Sequence, residues 1–488
     1  MEIVILGAGT AGLIAALIIR EKYPHHKITI VKSSEIGIIG VGEGSTEHWN
    51  TFMKFVGISN IDLIKNTSAT VKIGILFKNW NLNSEYVHSV CCNSLSPLSR
   101  PDKYIQMMKA DIKFPLSPAF DKYFYNNLVP LNESLQVSNQ YHFDTFKLNN
   151  YLTNICKNRK IDFLDMIIDT VSFDENGNVK SISNSEMAIE ADFFIDCSGF
   201  KRIITNKMGL EWKSMSKYLP MNHAIAFPTE FEDYNQIEPY TLSEAYDCGW
   251  TWKIPTQERY GNGYVFCDNY IDPDNALHEI NEKRKKDNKT PVDKFARDIK
   301  FEAGKLEKFW HKNVLSIGLA SSFAEPLEAQ SIGFSIMQAF IFIEHLDRWE
   351  YNKNVSNSYN EILDKIFFNI IDYLQLHYFT NRNDTPFWID KPFEHTDFFK
   401  ENMESIKNGI IDPSMFAGSV KMFNLDNFMQ VLHGLGFFTD EIRAKLVLRN
   451  TEYFNDKIAN DAKAEFNLHR IQPFISHRDF LNLVCQNN

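Results

Sequence analysis

The sequence predicts an α/β fold: a Rossmann-type module with a β-sheet region inserted into it, followed by a mainly helical C-terminal module. Three observations carry this expectation. The chain opens on an apolar strand, a glycine-rich turn and a helix; strand-like segments of the same kind return far down the chain; and residues 335–375 read as helical. The first module is expected over residues 1–340 and the second over 341–488.

Taken in order, Ile3–Leu6 is a continuous apolar run, the pattern of a strand buried on both faces. Gly7-Ala8-Gly9-Thr10-Ala11-Gly12 follows, then the helical run Leu13–Arg20 and a second strand, Ile28–Val31. In this context Gly7 permits the tight turn, Gly9 lets the backbone approach a pyrophosphate, and Gly12 allows close helix–strand packing. The start of the helix, at Thr10 and Ala11, offers free N–H groups and partial positive charge to the phosphates. Lys32 stands where an acid usually holds the adenosine ribose. It cannot accept a hydrogen bond from a hydroxyl, though it can reach a phosphate. A second glycine-rich loop, Ile38–Gly44, includes Val41, Gly42, Glu43 and Gly44. NAD folds do not need such a loop, whereas FAD folds pass the flavin there.

Val71-Lys72-Ile73-Gly74 places a lysine in an apolar stretch. Burial there lowers its pKa, and snorkelling to solvent is the alternative. Short β-rich runs at Phe163–Val171 and Phe193–Asp196 flank the turn signal of residues 174–178. Gly249-Trp250-Thr251-Trp252-Lys253-Ile254-Pro255 puts two tryptophans on one face of a strand. The basic cluster Lys283–Lys286 reads as a solvated loop. Leu315–Leu319, with Gly318 and Leu319 at its turn, supplies a third nucleotide-type contact. That separation matches the FAD scaffold of aromatic hydroxylases, in which a substrate region splits the cofactor module. Directly after it, Glu325 and Glu328 stand three apart around a proline.

Composition narrows the class. Among 488 residues, 51 Lys+Arg stand against 62 Asp+Glu, a net charge of −11 that argues against nucleic-acid binding. The 7 cysteines include no CxxC pair, so neither a disulfide framework nor a zinc or other metal site is expected. The longest apolar runs, such as Phe334–Ile343, fall short of the ~20 residues a membrane helix needs. With strand residues beginning at Ile3, the expectation is a cytoplasmic protein with no membrane partner. Self-association as a homo-oligomer is left open. Aromatics reach 14%, enough to fill cores and to line a pocket for a flat molecule.

Together these segments resemble the flavin-dependent tryptophan halogenase family. The resemblance runs through the GAGTAG turn, Gly40–Glu43, Lys72 before Phe77-Lys78-Asn79-Trp80, Asp196–Gly199, GWTWKIP, Glu325–Glu328, His377-Tyr378-Phe379 and Asp384–Trp388. It implies FAD, supplied reduced by a separate flavin reductase, together with O2 and a halide ion. The halide is oxidised to hypohalous acid, which halogenates an electron-rich aromatic small molecule. Lys72 and Glu328 are then the catalytic pair: Lys72 holds the oxidant, and Glu328 polarises it and takes the proton from the ring. Trp250 and Trp252 wall off the flavin, Ile332 falls on the cofactor side, and the backbone at Gln330 and Ser331 seats the halide. His88, Val90 and Phe423 line the substrate site. An FAD aromatic hydroxylase on the same scaffold is the alternative, disfavoured by Lys72 together with the two tryptophans.

Departures from the family pattern carry further expectations. Ala329-Gln330-Ser331 replaces the usual Ser-Thr-Gly, which predicts relaxed halide choice, with bromide or iodide taken at least as well as chloride. Val90 replaces a stacking aromatic, and the residues that grip the amino-acid end of tryptophan are missing. An indole, phenol or anilide is therefore expected in place of free tryptophan.

Overall fold

The opening apolar run folds as the strand Glu2–Leu6, which pairs in parallel with Lys27–Lys32 on one side and Phe193–Asp196 on the other. Buried on both faces, it forms the centre of a six-stranded sheet. The order is Trp310–His311, Val314–Ser316, Phe193–Asp196, Glu2–Leu6, Lys27–Lys32 and Asp162–Asp165. This computed structural model describes residues 1–38, 40, 42–89, 124–131, 140–349, 351–412, 415, 421–449 and 473–486. Val41 and Val90 lie outside the described residues.

The glycines of the first turn are needed where they stand. Gly7 adopts φ +116°, and a Cβ there would meet the Cys197 carbonyl oxygen at 2.2 Å; a Cβ on Gly12 would meet the Gly7 carbonyl oxygen at 2.1 Å. Helix Thr10–Lys22 then packs against the long helix Gln330–Trp349, which in turn packs on Val355–His377. The helix Gln330–Trp349 runs through residue 340, so the chain continues without a break between the two regions.

A seven-stranded sheet forms the inserted region, in the order Arg297–Lys300, His223–Thr229, Tyr260–Phe266, Gly249–Pro255, Tyr240–Tyr246, Gly74–Lys78 and Glu85–Ser89. A small third sheet joins Glu43–Gly44, Gln140–Phe143 and Thr70–Lys72. It connects the second glycine-rich loop to the lysine strand. Beyond residue 349 the described chain is mainly helical.

Two local expectations change. The cluster Lys283–Lys286 is not a loop but the last turn of helix Pro273–Lys286, where cations face the negative end of the helix dipole. The Asp272 side chain caps the start of that helix, and Lys283 pairs with Glu244 at 2.7 Å. The run Phe163–Val171 is not one strand: it divides between Asp162–Asp165 in the main sheet and Thr170–Phe173 in a separate three-stranded sheet. Among the described residues no helix is long and apolar enough to cross a membrane, and no group of three or more His, Cys, Asp or Glu residues is placed to hold a metal ion.

Candidate active site

Lys72 ends the short strand Thr70–Lys72 and is fully buried, its Nζ donating to the Ser45 carbonyl oxygen at 3.0 Å. The snorkelling alternative is therefore set aside. Gly44 makes this placement possible: a Cβ there would lie 3.3 Å from Lys72 Nζ and 3.3 Å from Ala329 Cβ. The lysine and the loop after Glu328 thus approach each other across a glycine. Burial brings the Lys72 ammonium down to about 8, although Glu328 and Glu47 favour its charge. The strand is held from behind, with Val71 N–H donating to His477 Nε2 at 3.0 Å and Thr70 Oγ1 donating to the Pro255 carbonyl at 2.8 Å.

Glu328 sits in a turn that few side chains adopt. Its φ is +66° and that of Ala329 is +55°, so two consecutive non-glycine residues are left-handed just before helix Gln330–Trp349. The surroundings hold the turn in place. Glu328 accepts from His88 Nδ1 at 2.8 Å, from His377 Nε2 at 2.9 Å and from the Tyr373 hydroxyl at 3.1 Å. Burial opposes ionisation, but His88 and His377, which both donate hydrogen bonds to it, outweigh burial and hold the carboxyl well below its ordinary range. Glu325, three residues earlier, is treated oppositely. Burial pushes it up to about 8, against the Tyr378 hydroxyl, which donates to it at 2.9 Å. Two acids in one loop therefore stand in different protonation states near neutral pH.

The residues expected at the cofactor cluster at the glycine-rich turns, where backbone N–H groups and glycines leave room for a dinucleotide. Gly9 has no heavy atom within 4 Å of a Cβ position and caps helix Thr10–Lys22 without a side-chain hydrogen bond, leaving the N–H groups at Thr10 and Ala11 open to a phosphate. Gly318 (φ +69°) lies against Ala11, with Leu319 in the same short turn. Gly42 N–H donates to Thr145 Oγ1 at 3.2 Å, and burial raises the Glu43 carboxyl to about 7. Lys32 pairs in register with Asp165, so an acid reaches this end of the sheet from another strand. These residues fit FAD. Ile332 is buried in the first turn of its helix.

Gln330 turns its side chain back, Nε2 donating to the Glu325 carbonyl at 2.8 Å. A cavity of about 10 Å³ beside it is lined by Gly318, Ala324, Gln330 and Ser331, among others. Trp250 and Trp252 are both buried on Gly249–Pro255, 6.2 Å apart between ring centroids, and Trp80 lies 6.4 Å beyond Trp250. The Trp252 ring lies over Gly263, where a Cβ would approach it to 2.0 Å.

His88, expected to line the substrate site, is hydrogen-bonded to the buried Glu328 carboxylate. Phe423 is stacked on Tyr373 at 4.0 Å and is almost fully buried. Lys72 and Glu328 interact through their charges, with no direct hydrogen bond between them, and the lysine donates to Ser45. Sequence reasoning missed Tyr373 and gave His377 no role. The available signal was their spacing of four on one helix, which aims both at the same point.

Residues 2–449 match the family model described as tryptophan halogenase. The tryptophan 7-halogenase RebH of Lentzea aerocolonigenes is 28% identical over 485 residues, covering 90% of each chain. The tryptophan 6-halogenase ThaL of Streptomyces albogriseolus is 28% identical, over 84% of this chain and 82% of its own. The fold is that of the tryptophan 6-halogenase SttH from Streptomyces toxytricini, with a TM-score of 0.86 at 23% identity over 99% of both chains. The chain belongs to the tryptophan halogenase family and is a flavin-dependent halogenase.

Proposed function

We propose that this enzyme halogenates an electron-rich aromatic small molecule of the indole, phenol or anilide type, with Lys72 and Glu328 as its catalytic pair. The observation that carries the reading is the placement of a fully buried lysine and a buried carboxylate, hydrogen-bonded by two histidines, about Gly44 and Ala329. Bound FAD, delivered reduced by a separate reductase, supplies with O2 the oxidising equivalent that turns halide into hypohalous acid. The turn of Thr10–Gly12, the loop of Gly42–Gly44 and Gly318–Leu319 would hold the cofactor. Trp250 and Trp252 fence it from the aromatic substrate, so oxygen is not transferred directly.

Lys72 holds the electrophilic oxidant by hydrogen bonding in a site closed to bulk water. The halogen bonds to a ring carbon, the hydroxide it was bound to leaves, and Glu328 takes the proton that carbon releases. The open N–H groups in the first turn of helix Gln330–Trp349 offer the halide partial positive charge, and a cavity of about 10 Å³ there admits roughly one water-sized sphere. With Ser331 in that turn, bromide and iodide, which are cheaper to desolvate and easier to oxidise, are taken at least as well as chloride.

The test uses reduced FAD regenerated by a flavin reductase, each halide in turn, and a panel of indoles, phenols, anilides and free tryptophan. Halogenated product from wild type and none from Lys72→Ala supports the reading. Hydroxylated product, or full activity in Lys72→Ala, overturns it.

A further inference from the structure

Glu328 is met by two histidines, and their outer nitrogens differ. His377 directs Nε2 to Glu328 and Nδ1 to the Tyr373 carbonyl oxygen at 3.1 Å, so both its ring nitrogens face acceptors. His88 directs Nδ1 to Glu328, but its Nε2 lies 3.0 Å from Asn427 Nδ2. The orientation of the Asn427 amide is set by its other end: Oδ1 accepts the Asn424 N–H at 2.9 Å, closing the capping box of helix Leu425–Gly434. The amide nitrogen therefore points at His88, and Nε2 accepts from it at 3.0 Å, closer than the Tyr373 hydroxyl, which lies 3.3 Å from Nε2 and donates to Glu328. Its hydrogen then sits on Nδ1, facing the carboxylate.

We propose that Asn427 is a positioning residue that locks His88 as the Nδ1–H tautomer, and thereby keeps Glu328 hydrogen-bonded and correctly turned for proton abstraction. The helix is placed for this task. Gln430 Oε1 accepts the Ser89 N–H at 2.9 Å, and Gly434 lies so close to the Tyr86 ring that a Cβ would reach its Cγ at 2.3 Å. Residues 427, 430 and 434 thus share one helix face and dock on consecutive parts of strand Glu85–Ser89. Phe423, the expected substrate wall, lies just before the same capping box and is tied to Asn369 through its own backbone, N–H to Oδ1 at 2.8 Å and carbonyl from Nδ2 at 3.0 Å. The tautomer of His88 is in this way set by the element that borders the substrate side.

The functional consequence rests on Glu328 as the proton acceptor, but the tautomer can be read without turnover. Selectively 15N-histidine-labelled enzyme, with His88 assigned by its loss in His88→Gln, should show His88 Nε2 as an unprotonated ring nitrogen. Asn427→Asp places an acceptor at Nε2 and should give a His88 ring protonated on both nitrogens. Asn427→Leu removes the donor and should leave a mixture of tautomers; it also serves if the aspartate variant fails to fold. In turnover, both variants should lose roughly tenfold in kcat with KM within about twofold, and the aspartate variant should move the acid limb of the pH profile. The titratable groups facing this pair are Glu328, His377, Tyr373, Tyr86 and Lys72. Wild type with hydrogen on Nε2, or identical His88 spectra in all three proteins, overturns the proposal. A tautomer change without any halogenation in wild type overturns the proposed function and leaves the tautomer assignment standing.

Discussion

Lys72 and Glu328 are both removed from water, yet the protein treats them in opposite ways. Three donors surround Glu328, whereas Lys72 has one carbonyl. The unfolded lysine keeps its proton to about pH 10.5, while the folded one releases it near 8. Between those values the unfolded lysine binds the proton and the folded one does not, so this residue's contribution to folding stability rises with pH across that window. Urea titrations should show this rise in the difference between wild type and Lys72→Met, on the order of 3 kcal/mol at most. The methionine variant should fold and lose at least ~100-fold in halogenation. Glu328 has the same sign in a more acidic window: its carboxyl is also lowered, so its stabilisation is present above its ordinary pKa of 4.5 and is lost as pH falls below it. In Glu328→Gln the amide replaces one acceptor by a donor among donors, so a loss of ~1–3 kcal/mol in unfolding free energy should accompany the fall in activity.

The strands and helices explain why one glycine can matter to two functions. Strand Gly249–Pro255 pairs Trp252 with Gly263, and the indole occupies the space a side chain would need. Gly263→Ala should lower the melting temperature and displace the ring, so that less halogenated product forms per reduced FAD consumed. Unchanged coupling in a correctly folded variant would remove Trp252 from the barrier. The same scale sets how much was legible beforehand. GAGTAG and GWTWKIP were readable because their residues act within one turn or one strand, where spacing is the geometry. The partners of Glu328 were not, because His88 lies 240 residues away and His377 49, and only the packing of strand Glu85–Ser89 on helix Leu425–Gly434, itself packed on Val355–His377, brings them together. Lys283–Lys286 misled for a related reason: charge alone does not separate a loop from the polar end of a helix.

In the molecule as a whole, the aromatic surplus serves mostly as core, with Trp49, Trp80, Trp310 and Trp388 fully enclosed. The α/β class and the helical region after 349 follow from periodicity, while the small three-stranded sheet that carries Lys72 was invisible, its strands being too short to leave a pattern. That sheet also depends on distant chain. His477 accepts the Val71 N–H while its Nδ1 meets the Ile237 carbonyl at 3.2 Å, and His477→Ala should cost ~1–3 kcal/mol and lower the urea midpoint. Placed 406 residues after Val71, His477 gives this bond a meaning in time as well as space. During synthesis the lysine strand leaves the ribosome long before its acceptor exists, so the first half of the site waits unfinished while the remainder is made. A stalled chain ending before residue 477 should therefore already hold its cofactor module, yet leave the Val71 amide quickly exchanged with solvent deuterium. The lysine strand is in this way joined to the synthesis of residue 477.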